Sequence, residues 1–117
     1  MADSILREKS KQFAIDIIDV CRDMRNNRIE YSLVDQLLRS GTSIGANVHE
    51  AQFAQGKKDL ISKFEISLKE CNECLYWLDI LLSTNSINAD KAKYLLVKCD
   101  EIRKMLISSV TTLKTKS

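Results

Sequence analysis

The chain has 117 residues, with 18 Lys+Arg against 16 Asp+Glu, one His, four Cys, three Gly and no Pro. That length accommodates one hydrophobic core and excludes two. A net charge of +2 is far from the balance of a protein that coats nucleic acid by charge alone, and the lack of proline favours long helices.

The first apolar pattern runs Leu6, Ser10, Phe13, Ile17, Val20 and Met24, widened by Ala14, Ile18 and Cys21. It predicts a helix over 4–26 with Asp3 or Ser4 as its cap. The N-terminal stretch MADSILREKSKQF lacks the apolar centre of a secretory signal, and no run reaches the roughly 18 apolar residues of a membrane span. The cytoplasm is the expected compartment, with no membrane partner. Arg22, Arg25 and Arg28 recur every three residues near the end of this helix.

The stretch NNRIEYS interrupts the pattern, and Ser32 with Asp35 resembles a capping box. The second helix is expected over 32–55, closed by Gly56 in a left-handed conformation. Val34, Leu37, Gly41, Ile44, Val48 and Ala51 fall on one face, with Gly45 on the next row. A phosphate loop would not keep that phase, and neither G-x-x-x-x-G-K-[ST] nor G-x-G-x-x-G is present. Each interior glycine costs up to ~1 kcal/mol against alanine, so Gly41 and Gly45 predict close packing against another helix.

A polar line, Arg39, Ser43, Asn47 and Glu50, follows the same helix. One reading is a solvated face. The other is a paired network at a helix or subunit interface, with Ser67, Glu70 and Glu73 of the third helix as partners. Arg39 and Glu50 lie about 16 Å apart along the axis and would each need a separate partner.

The third helix, expected over 58–83, carries Ile61, Phe64, Leu68, Cys71, Leu75, Leu78 and Leu82 at alternating steps of three and four. Cys74 and Trp77 lie on a second row, which suggests burial on two sides; a Trp packed at the edge of the monomer is the alternative. Cys71 and Cys74 form a C-x-x-C, yet one His cannot complete a zinc finger, and no strand precedes the pair. The four cysteines, Cys21, Cys71, Cys74 and Cys99, read as reduced core residues, with no metal and no cofactor.

STNSIN marks the last turn, with Asn88 as cap and Asp90 in the first turn of a helix over 89–114. Its seam is Ala92, Leu95, Cys99, Ile102, Leu106, Ser109 and Leu113. Four helices of about 36 Å joined by short turns predict a single all-α domain over 1–117, an antiparallel up-down-up-down four-helix bundle.

No catalytic residues are expected. His49 and Glu50 point about 100° apart around their helix, and a di-iron bundle would need a second His. The chain is therefore read as no enzyme.

LLRSGTSIGANVHEAQ followed by SKFEISLKECNECLYWLDILL resembles the four-helix-bundle family encoded in intervening sequences of bacterial large-subunit ribosomal RNA genes. Leu38, Arg39, Ser40, Ser43, Ile44, Asn47, Glu50, Phe64, Glu70 and Glu73 carry the match, strongest over residues 34 to 82. That family is similar to the accessory protein of diversity-generating retroelements, a pentameric nucleic-acid-binding bundle. The resemblance implies a homopentamer without catalytic activity and raises nucleic-acid binding as a function. This chain departs from that relative in being nearly neutral. Two functions stand side by side: a self-associating adaptor or scaffold with a protein partner, and direct RNA or DNA binding. The second would use Arg22, Arg25, Arg28, Lys57, Lys58 and the tail lysines Lys114 and Lys116 as a basic rim; such residues at helix ends also complement the dipole.

Overall fold

The computed structural model describes residues 2–116, apart from the side chain of Ala2. Four helices follow one another: α1 (Ala2–Asn26), α2 (Tyr31–Ala51), α3 (Lys57–Ser83) and α4 (Ala89–Thr115). They form a four-helix bundle 50 × 21 × 20 Å, with no strand among the described residues. Each helix packs on its two neighbours and not across the diagonal. α2 sits tightly between α1 and α3, while the seam between α1 and α4 is the thinnest of the four. Shallow clefts open along that seam, one lined by Asp16, Asp19, Val20, Tyr94 and Leu95.

The helix ends show where local chemistry acted. Arg28 and Asn85 take left-handed backbone conformations, with φ of 60° and 56°. In both turns the following amide reaches back five residues, Ile29 N–H to the Met24 carbonyl and Ser86 N–H to that of Leu81. These bonds satisfy carbonyls that a helix end leaves open. Asn88 caps α4, its side chain accepting from the Lys91 amide at 3.0 Å.

Three expected boundaries are corrected. Asp3 and Ser4 lie inside the first turn of α1 rather than before it. α2 begins at Tyr31 after Glu30, with no side-chain cap, so Ser32 and Asp35 make no capping box. α2 also stops at Ala51 instead of 55, because its next seam position is Gln55 and tight turns over 52–54 close the helix. Gly56, at φ 100°, opens α3 rather than closing α2.

The core holds Leu6, Phe13, Ile17, Leu37, Ile44, Leu78, Leu95 and Leu106, all essentially sealed from solvent. On α3 the buried row is Phe64, Ser67, Cys71, Cys74, Leu78 and Leu81. Ile61, Leu68, Leu75 and Leu82 are only half-buried against it. The inward face is thus rotated from the expected seam. Cys74 belongs to the core of its own chain, and half-buried Trp77 sits at the edge, so these two residues do not show burial on a second side.

The glycines of α2 meet α1. A methyl group built on Gly41 would lie 2.8 Å from Ile17 Cγ1 and 2.9 Å from Cγ2, and one on Gly45 would lie 3.1 Å from the Ser10 carbonyl oxygen. Gly41→Ala should therefore destabilise by ~1–3 kcal/mol despite alanine's better helix propensity. In an Ile17→Ala background most of that penalty should vanish. A double-mutant cycle of thermal or urea melts measures the coupling, and additive effects would show that the two residues do not clash.

Candidate interaction faces

The polar line lies on the side of α2 that turns toward α3. Ser67 Oγ, fully buried, donates to the Ile44 carbonyl at 2.9 Å and ties the two helices together. Buried Ser40 donates to the Gln36 carbonyl of its own helix. Outward of this seam, Ser43 and Asn47 are half-buried, and Arg39 and Glu50 are exposed. Asn47 Nδ2 donates to the Ser43 carbonyl at 2.8 Å. The expected buried pairs for Arg39 and Glu50 do not form within the protomer: neither has an ion-pair partner among the described residues. The reason is geometric, since both project beyond the α2–α3 contact row.

Across the seam, Glu70 is half-buried and Glu73 exposed. Burial pushes the Glu70 carboxyl above the usual carboxylate range. A hydrogen bond with Glu73 and that residue's charge push it further, while Lys69 and Arg39 pull it back. Ile66, 41% exposed, and half-buried Trp77 continue the α3 stripe at positions four before Glu70 and four after Glu73. Trp77 stacks edge-on against exposed Tyr76, with ring centroids 5.1 Å apart.

The basic residues do not gather. Arg22, Arg25 and Arg28 stand where α1 ends, and Lys57 and Lys58 where α3 begins. Antiparallel connection places those two points at opposite ends of the bundle, so one rim of the protomer cannot hold both sets. Arg25 is also committed, its guanidinium 4.5 Å over the Tyr31 ring and 4.0 Å from Asp35. Arg28 occupies the left-handed turn position. Lys114 pairs with Glu65 at 2.9 Å.

A groove that the sequence reading passed over runs between α1 and α2. Arg7, Lys11 and Ala14 line one wall, and Gly45, Ala46 and His49 the other. His49 is exposed, beside Gln52 Nε2 at 3.4 Å and the Phe53 ring at 5.6 Å. Among the described residues no carboxylate lines this groove.

All four cysteines are free and buried. Cys99 Sγ donates to the Cys71 carbonyl at 3.6 Å, and Cys21 Sγ to that of Val34 at 3.8 Å. Hydrogen bonds to Cys99 and then burial hold the Cys71 and Cys74 thiols well above their ordinary range. Burial pushes Cys21 up to about 11. Among the described residues no group of three His, Cys, Asp or Glu side chains is placed to hold a metal, and no helix is long and apolar enough to cross a membrane.

This is an all-α four-helix-bundle protein whose surface chemistry lies along helix faces. The chain belongs to the family of 23S rRNA-intervening sequence proteins, whose model matches residues 2–108. It is similar to a crystal structure of a protein with unknown function from the S23 ribosomal protein family of Bacteroides thetaiotaomicron VPI-5482. That likeness has a TM-score of 0.91 and 40% identity, and covers 95% of this chain and 99% of that one. No curated protein matches.

Two measurements follow. A folded-state pKa raised above the unfolded one favours folding at acid pH, and that stability is lost as pH rises through the raised value. In the separated protomer Glu70→Gln should raise the melting temperature at neutral pH, with the gain fading below about pH 4; an equal gain at all pH values would rule out the carboxyl's charge. The native protein should react with a thiol reagent only slowly, and the denatured chain should titrate four thiols. Rapid native labelling of Cys71 or Cys74 would show that these thiols are accessible.

Proposed function

We propose that the protein is a non-catalytic, self-associating helical bundle acting as an adaptor or scaffold in the cytoplasm. The observation that carries this reading is the α2–α3 face. Exposed Arg39 and Glu50, half-buried Ser43, Asn47 and Glu70, exposed Ile66 and half-buried Trp77 share it. The two α2 charges have no ion-pair partner among the described residues. A row of hydrogen-bonding groups beside uncovered apolar surface suits a protein interface better than a solvated surface. The resemblance to the retroelement accessory protein supplies the number five, making a homopentamer the expected assembly. Four reduced, buried thiols fit a reducing compartment. Direct nucleic-acid binding through a basic rim is the weaker reading, because its arginines and lysines are split between the ends and Arg25 is engaged by Asp35 and Tyr31.

Light scattering coupled to size exclusion should give about five times the 13.3 kDa chain mass at micromolar concentration. Arg39→Ala and Glu50→Ala should change protomer melting little, since exposed charges contribute ~0–1 kcal/mol, but should shift mass toward monomer. A monomeric parent protein defeats the proposal. Assembly unaffected by both substitutions, together with lost binding of labelled RNA or DNA, would favour the nucleic-acid reading.

A further inference from the structure

The α1–α2 groove and the α2–α3 face are opposite in character. The groove, about 480 Å³, has a floor of Ala14, Gly45 and Ala46 and a wall bearing Arg7 and Lys11. Neither cation has an ion-pair partner among the described residues. The α2–α3 face presents Glu50, Glu70 and Glu73 against the cations Arg39 and Lys69, with Ile66 projecting from α3.

The two faces also match in height. Gly45 rests on Ser10, and Ser67 bonds to the Ile44 carbonyl, so these residues mark one level of the bundle. Lys11 follows Ser10 and Ile66 precedes Ser67, which puts both within about one helical rise of that level. Glu70 and Glu73 lie one and two turns along α3 from Ile66, on its stripe. A lysine side chain spans one such turn.

Resting on the self-association reading above, we propose that the groove between α1 and α2 receives the acidic α3 edge of a second copy of this chain. Ile66 of the second copy seats on the small-residue floor, and its Glu70 and Glu73 come within reach of Lys11. Small side chains at the floor let the incoming helix approach closely, and the opposite charges fix which face meets which. The cation arrives where two carboxyls crowd each other, and so relieves a repulsion present in the lone protomer.

This contact joins unlike faces, so it repeats from copy to copy and must either close or grow. Both faces flank α2, on adjacent sides of the bundle and roughly at right angles. A ring of four needs about 90° between such faces and a ring of five about 108°. Faces on opposite sides of the bundle would have produced an open filament instead. The contact therefore builds a small closed ring with α2 innermost.

The test is charge exchange in the full chain, read by light scattering with circular dichroism as a check on folding. Glu70→Lys with Glu73→Lys should reduce the assembly to the mass of a monomer, and so should Arg7→Glu with Lys11→Glu. All four substitutions on one chain should restore the parent mass. Should a reversal disturb folding, the corresponding Gln substitutions serve, with a partial shift to monomer that depends less on salt than the assembly of the parent does. If the parent assembles and neither reversal changes its mass, or if the fourfold variant stays monomeric, the groove is not the contact. If the parent itself is a monomer, self-association and this contact fall together.

Discussion

The bundle depends on how closely α2 can approach α1. Without side chains at 41 and 45, the helix lays its backbone against Ile17 and the Ser10 carbonyl. A methyl group at 41 would force the Ile17 side chain to shift, and one at 45 would crowd the Ser10 backbone carbonyl. Interaxial distance in a bundle follows the side chains at the contact, so these two positions set the spacing on one side of α2. Ser67, reaching the Ile44 carbonyl, fixes the level of α3 on the other side. α2 thus acts as the reference element from which its neighbours take their distance and height. The conformational cost of glycine within a helix is offset by contacts that no larger residue permits.

Net charge conceals the electrostatics of this surface. A total of +2 describes a nearly neutral protein, whereas the folded chain separates its charges by face. Cations line the α1–α2 groove, Glu70 and Glu73 crowd each other on α3 beside Lys69, and ion pairs decorate α4, as in Asp100 with Arg103 and Lys104. Segregation of this kind is invisible in composition and has meaning only once the helices are placed around an axis. It favours one orientation of approach between copies over all others.

Helix number, order and antiparallel topology were legible because spacings of three and four persist through each segment. The inward face of α3 was less so. Two rows fit the same steps, and the row carrying Ser67 and Cys74 lost to the row richer in leucine. Burial chose the smaller residues because α3 lies close against α2 there, leaving little room at the contact. The polar line was legible as a line, but not its partners, since exposure depends on how far Arg39 and Glu50 overhang the seam. The separation of the basic clusters was implicit in the topology: the end of a first helix and the start of a third lie at opposite poles. The groove at Arg7, Lys11 and His49 left a faint signal, two cations one turn apart with Ala14 one turn further on, on the helix that faces the glycines.

The thin seam between α1 and α4 gives the closed bundle a preferred way to breathe. Three of its four sides are tightly joined, so the chain behaves as a row of helices whose two outer members meet weakly. Fluctuation of least cost parts α1 from α4 and leaves the other three contacts intact. The cleft at that seam is lined by Phe13 and Ile102 of the core. Amide protons of α4 would exchange ahead of those in α2, whose two flanks stay covered throughout. The helix flanked by both interaction faces is thus also the one held on both sides.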